Sequence, residues 1–331
     1  MSISAYIKEI GRGTKGARSL SRAQAQKLMG LLLDNQVSDL ELGAFCIAMR
    51  FKGESAEELA GFLDAVVARQ MPWPQPAAAA VVLPSYNGAR KLPNLTPLLA
   101  ALLAREGLPV LVHGCDTEDK RVGTEAVWHA LQWPVLATPA ALQPGQAAWM
   151  RTRHLLPALE KLLQLRRRIG LRNPAHSIVK LLDPLERPVP GSTAIPSLVV
   201  GSYTHPDYAQ PMAETLALRQ ASGLLLRGTE GEPVAAPNRE PASQGLLAGQ
   251  TCFARPAVPS SQYAADAAAA TELPQGLDAQ QTAELIRDML DGRRPVPTPI
   301  TQQVQQIKTL HAAMCAPNTH NLDQLQGLNR C

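Results

Sequence analysis

Three times in the first quarter of the chain a serine is followed three positions later by a glutamate or glutamine: Ser21 with Gln24, Ser38 with Glu41, and Ser55 with Glu58. Each pair can cap a helix reciprocally, hydroxyl to backbone amide and carboxyl or amide group back to the serine amide, so each predicts a helix start. Behind the caps apolar residues recur at helical spacing, as in Leu28, Leu31 and Leu32, or Leu42, Phe45, Cys46 and Met49. Short helices of this kind are stable only when their apolar stripes pack on one another, which makes a bundle. Pro72, Pro74 and Pro76 in MPWPQP stop any helix. The expectation is an N-terminal helical domain over 1–75, joined by helices from about 155–185.

Past that boundary short apolar runs alternate with longer helical stretches, the form of a sheet with covering helices. AVVLPS, LPVLVHG, IPSLVVGSY and ASGLLLRG read as strands, with helices at about 96–106, 124–132, 207–219 and 279–291. Asp278 is placed to cap the last of these and Gly292 to stop it. Residues 231–277, rich in Pro, Ala, Ser and Gly, predict irregular strands and loops. The fold class is therefore α/β with a small all-α domain, the second domain running over 76–331 around a central mixed sheet. A length of 331 residues suits two domains better than one.

The net charge of +4 is unevenly spread: residues 1–27 carry six Lys or Arg against one Glu, and 150–172 carry seven against one. Such runs are often just solvated helix faces. Aromatics are only 4% of the chain, which disfavours recognition by base stacking. The five cysteines, Cys46, Cys115, Cys252, Cys315 and Cys331, form no CxxC pair, which argues against structural zinc and a disulfide framework. The N-terminus lacks the apolar core of a signal peptide and no run is long enough to span a bilayer. A cytoplasmic protein with no membrane partner is expected.

The stretch LSRAQAQKLMGLLLDNQVSDLELGAFCIAMRFKGESAEELAGFLDAV resembles the N-terminal helical domain of anthranilate phosphoribosyltransferases. LPVLVHGCDTEDKRVGTEAVWHALQ is similar to the region around that family's KHGNR motif, and QLRRRIGLRNPAHSIVKLLDPL to its RxxLGxRTxFNLLGPLxNP stretch. GSYTHPDYAQPMAETL, GLLLRGTEGEP and TAELIRDMLDGRRP occupy the order of its later segments. The resemblance implies a two-domain fold of the nucleoside phosphorylase/phosphoribosyltransferase type.

The residues that would perform phosphoribosyl transfer depart from the family pattern. The glycine-rich GTGGD turn lets backbone amides approach pyrophosphate closely; in its place stands LPSYNGAR, where Tyr86, Asn87, Arg90 and Lys91 surround the one surviving glycine, Gly88. Asn94 and Thr96 match the family's NxS turn. His113 and Gly114 persist from KHGNR, while Val112 and Asp116 replace its cations. Asn87, Gly88, Asn94, Thr96, His113 and Gly114 thus form a remnant donor site. Glu230 and Glu232 in GTEGEP are weak candidates for the family's magnesium-binding acidic pair and read more readily as an acidic surface turn. Arg166 matches the arginine that holds the aromatic acid, a guanidinium suited to carboxylate or phosphate.

These departures resemble the YbiB subgroup, also called the second TrpD-like family, and that resemblance implies a homodimer through the helical domain that binds DNA or RNA without sequence preference. The charges point the same way. Arg90 and Lys91 follow a strand, Lys120 and Arg121 lie in a strand-to-helix loop, and Arg166, Arg167, Arg168 and Arg172 are expected to follow a helix. Such loops converge at the carboxyl ends of the strands, so the former phosphate site becomes one end of a basic groove, extended if Arg12, Lys15, Arg18 and Arg22 share its face. No catalytic residue and no cofactor is assigned. His113, His154, His176 and His205 fall in no nucleophile motif and read as structural. Two alternatives stand beside nucleic-acid binding: a working transferase, which alone would require magnesium, and a dimeric scaffold whose arginines hold a small anion or a protein partner.

Overall fold

In the computed structural model, which describes residues 2–13, 15–192, 195–258 and 273–316, all three serine caps close as capping boxes. They open α2 (Arg22–Leu33), α3 (Asp39–Lys52) and α4 (Ala56–Val67), which follow α1 (Ser4–Ile10). The third box does more than cap. Glu58 is buried, and besides Ser55 it accepts from the Leu20 amide at 2.9 Å and Lys52 Nζ at 2.6 Å, tying three helix junctions to one carboxylate.

The second part of the chain runs β1 (Ala80–Ser85), α5 (Thr96–Arg105), β2 (Val110–Gly114), α6 (Thr124–Ala130), β3 (Val135–Leu136) and β4 (Ala147–Arg151). Three helices then return to the bundle: α7 (Thr152–Leu155), α8 (Pro157–Ile169) and α9 (Ala175–Ile178). The chain re-enters the sheet with β5 (Ser197–Tyr203), α10 (Ala209–Leu218), β6 (Ser222–Arg227), β7 (Ser243–Leu247) and β8 (Gln250–Arg255), and ends on α11 (Ala279–Leu290) and α12 (Thr298–Cys315).

Among the described residues the sheet has eight strands in the order β3-β4-β2-β1-β5-β6-β7-β8. It is parallel from β3 to β6, and β7 and β8 add an antiparallel hairpin, so the sheet is mixed. The parallel strands are covered on both faces, which is why they read as unbroken apolar runs. Val81 and Leu83 pack with α5, α11 and α12, whereas Ala80 and Val82 pack on the opposite side with Trp73, Leu155 and Leu185. One continuous core joins α1–α4 to α8, α9 and α10. Where bundle and sheet domain meet, Arg219 after α10 pairs with Asp64 of α4 and with Glu186.

Several elements differ from the sequence reading. Arg166, Arg167 and Arg168 do not follow a helix but form the last turn of α8, closed by Gly170 in the left-handed region. Cations there face the negative end of the helix dipole. Residues 231–277 hold the ordered hairpin β7–β8; the part at 259–272 lies outside the described residues, as does Cys331. The helix α12 was not among the helices expected; it carries proline in its first turn, where proline is tolerated. No helix among the described residues is long and apolar enough to cross a membrane.

Candidate functional site

Parallel strands deliver their carboxyl ends to one edge of the sheet, and there the loops after β1 and β2 are stitched together by an antiparallel bridge between Ala89 and Val122. The bridge fixes the loop that replaced the glycine-rich turn, so that the amides of Asn87 and Gly88 point into the same small space as the hydroxyls of Ser85, Thr96 and Thr124. That space is filled by Glu232.

Glu232 is 1% exposed. Its Oε1 accepts from the amides of Asn87 and Gly88, both at 2.7 Å. Its Oε2 accepts from Ser85 Oγ, from Thr96 Oγ1 at 3.1 Å and from Thr124 Oγ1 at 3.4 Å. A buried carboxylate is tolerable only with this degree of satisfaction. Two backbone amides and three hydroxyls around one anion are what a phosphate would require. The chain therefore forms an anion cradle and occupies it with its own side chain.

Glu230 repeats the device two residues earlier. Its carboxylate accepts from the amides of Arg90 at 2.8 Å, Lys91 at 2.7 Å and Leu92 at 3.0 Å, and lies 3.4 Å from Arg121 Nη1. To deliver both acids the intervening backbone turns sharply: Glu230 has φ 51° and Gly231 φ 90°. A Cβ on Gly231 would lie 1.8 Å from Asn87 Nδ2, so the close approach of the two loops needs glycine there. The reading of this segment as an acidic surface turn is thereby corrected: Glu232 is buried and both acids face inward onto donors.

The same geometry tests the magnesium that the fold family implies. A hard cation needs carboxylate lone pairs that are free of N–H and O–H donors. Each oxygen of Glu230 and Glu232 already faces at least one such donor. The two residues do not fit a metal in this arrangement, and no group of acidic, histidine and cysteine side chains suited to an ion occurs among the described residues.

The remaining remnant residues are structural supports. Asn94 Nδ2 donates to Thr124 Oγ1 at 2.9 Å and so orients a hydroxyl of the cradle. His113 is fully buried, with Nδ1 2.8 Å from the Tyr86 hydroxyl and Nε2 3.0 Å from the Leu182 carbonyl. Burial lowers its pKa to about 4, so it is a neutral strut. Gly114 passes so close to Ser85 that a Cβ would lie 1.8 Å from its carbonyl oxygen.

The proposed cations divide into two sets. Arg121 pairs with Glu118 at 3.1 Å, Arg166 with the same carboxylate at 2.6 Å, and Arg167 with Asp119. Arg172 reaches Asn87 Oδ1 at 3.4 Å. These contacts bring the end of α8 against the loops after β1 and β2. Arg90, Lys91, Lys120 and Arg168 are exposed with no carboxylate partner among the described residues. In the bundle, Arg12 pairs with Glu9 and Arg22 with Asp64, the latter arginine also holding the Leu218 carbonyl, so Arg22 is a domain clamp. Lys15 and Arg18 are exposed, and among the described residues no hydrogen bond or ion pair joins them to the loop cations.

Two features escaped the sequence. One is Lys180, whose Nζ donates to the Gly231 carbonyl at 2.6 Å behind the acidic turn. The other is a cavity of about 340 Å³ between α3, α4 and the end of α8, lined in part by Arg166, Arg172, His176 and Lys180. The family motifs pointed only to Arg166.

Residues 4–69 match the family described as the glycosyl transferase family, helical bundle domain. YbiB of Escherichia coli (strain K12) is 38% identical over 304 residues, covering 90% of this chain and 91% of that protein. The chain belongs to the YbiB family of TrpD-like proteins. An anthranilate phosphoribosyltransferase of Synechococcus sp. (strain JA-3-3Ab) is 30% identical over 239 residues, covering 70% of this chain and 66% of the relative. The fold of this YbiB-family chain is that of the anthranilate phosphoribosyltransferases: the Thermus thermophilus structure matches with TM-score 0.65 at 20% identity, covering 97% of this chain and 92% of that one. The Saccharomyces cerevisiae structure in complex with PRPP and Mg matches with TM-score 0.67 at 13% identity, covering 97% and 90%.

Proposed function

We propose that this YbiB-family chain is a cytoplasmic nucleic-acid-binding protein in which the donor cradle has been closed internally and the cations on the loops around it meet a phosphate backbone. The observation that carries this reading is the occupation of the cradle by Glu232 and Glu230, while Arg90, Lys91 and Lys120 on the same loops stay exposed and unpaired among the described residues. A backbone polyanion needs such outward charge and no tight pocket. Binding of this kind is electrostatic and indifferent to sequence. It is tested by titrating labelled DNA and RNA oligonucleotides between about 50 and 200 mM salt, over which affinity should fall by about 10²-fold or more. Replacing Arg90, Lys91 and Lys120 together by Ala should flatten the salt slope by about 2 to 3. Absence of binding at low salt overturns the reading.

The homodimer belongs to the same proposal. Leu40, Ile47 and Phe51 lie along one face of α3 and are 83%, 39% and 76% exposed, an apolar stripe suited to a second copy of the chain. Phe51→Glu should shift the species seen by sedimentation from dimer to monomer.

A phosphoribosyl transferase is the second reading, favoured by the relatives and by the intact set of cradle donors. Were Glu232 to swing out, the amides of Asn87 and Gly88 and the hydroxyl of Thr96 would face a pyrophosphate. Pyrophosphate release from phosphoribosyl pyrophosphate, with magnesium and anthranilate present, would establish this reading and displace the first.

A further inference from the structure

Beside the filled cradle lies the cavity of about 340 Å³ between the bundle and the sheet domain. Its polar wall is the reverse of the cradle. Arg50, Arg172 and Lys180 face it against one carboxylic acid, Glu54, while the fourth cation, Arg166, is already paired with Glu118. The lining therefore holds a surplus of about two positive charges by the ordinary states of these groups. Arg172 makes one long hydrogen bond, to Asn87 Oδ1 at 3.4 Å. His176 is 7% exposed, and its Nε2 has no hydrogen-bond partner among the described residues.

These groups also repel one another. Burial, and then Arg172, lower the pKa of His176 to about 3. Lys180 is lowered to about 8 by burial, with Arg172 and Arg121 adding to the effect against the attraction of Glu232. Partly buried cations beside an open space, and the unbonded nitrogen of His176 buried in its wall, cost stability unless something anionic shares that space. The opposite wall is apolar, made by Met49, Leu59 and Met212.

We propose that this cleft binds a phosphate monoester, its dianionic group held by Arg172, Lys180 and His176 and its organic part laid against Met49, Leu59 and Met212. A monoester carries close to two negative charges at neutral pH, which matches the surplus; a carboxylate carries one. A phosphodiester, like a carboxylate, carries only one. The ligand is thus a free mononucleotide or the phosphorylated end of a nucleic acid, a site distinct from the surface cations proposed above and not dependent on them.

The test uses the full chain and four probes: inorganic phosphate, a nucleoside monophosphate, and one oligonucleotide with either a 5′-phosphate or a 5′-hydroxyl. Calorimetry should show the monophosphate binding, and Arg172→Gln and His176→Ala, each checked by melting to be folded, should weaken it by about tenfold. Tighter binding of the 5′-phosphate oligonucleotide than of its 5′-hydroxyl twin, with the difference lost in Arg172→Gln, assigns the ligand to a nucleic-acid end; an advantage of the free nucleotide alone assigns it to a metabolite. If no monoester binds at millimolar concentration, or both variants bind as the parent does, the proposal is overturned. The 5′-hydroxyl oligonucleotide reports surface binding separately, so the two readings can fail independently.

Discussion

A small anion cradle and a larger cationic cleft lie side by side in this molecule, and they are resolved in opposite ways. In the cradle at the end of β1, two amides and three hydroxyls converge on Glu232, so that every donor has an internal partner. In the cleft beneath α8, Arg172 is barely bonded and His176 Nε2 is not bonded at all among the described residues. The segment between Glu230 and Glu232 separates them: its side chains close the cradle, and its Gly231 carbonyl holds Lys180 at the back of the cleft. One short segment thus meets a full set of donors with a carboxylate on one side, while the cations on its other side keep few hydrogen-bond partners.

The largest test of this contrast is removal of the internal occupant. Glu232→Ala leaves a set of buried donors facing a void and should cost about 3 kcal/mol or more, read as a shift of the urea midpoint. If the cradle is still an anion site, phosphate or pyrophosphate should restore melting temperature in this variant well beyond the effect of chloride at matched ionic strength. Equal effects of the salts would mean that the cradle exists only around its own glutamate.

Gly231→Ala probes the shared segment, because its Cβ must displace Asn87 and adopt a left-handed backbone; a loss of about 2 kcal/mol is expected. Acid titration then separates the two spaces by their histidines. His113 and His176 are neutral in the fold, with pKa values lowered by burial from 6.5 to about 4 and about 3. The unfolded chain takes up these protons first, so stability should be complete above about pH 6.5 and fall as pH drops towards 4. Thermal melts across this range check the slope, and His113→Gln should flatten part of it. Smallest of all, Arg167→Ala should change stability by less than about 0.5 kcal/mol, since its pair with Asp119 is exposed.

The helix starts at Ser21, Ser38, Ser55 and Asp278 were legible because a capping box is a local reciprocal bond between residues three apart. The buried parallel strands β1, β2, β5 and β6 were legible because burial on both faces leaves an apolar run. What escaped depends on partners far away in sequence. Glu232 meets Asn87 across 145 positions, and nothing near GTEGEP distinguishes a buried anion from an exposed acidic turn. Likewise Arg121, Arg166 and Arg167 count as charge in the sequence, yet their carboxylate partners can be identified only once α8 is seen packed against the loop after β2.

The sequence alone therefore determined the helical bundle, the apolar strands and the loss of the glycine-rich turn, since each is written in adjacent residues or in a short period. Only the tertiary structure decided that the loop standing in its place turns its amides onto a carboxylate 145 positions away. Hydrogen bonds and ion pairs act over a few ångströms in space, and which residues come that close is set by the packing of bundle on sheet.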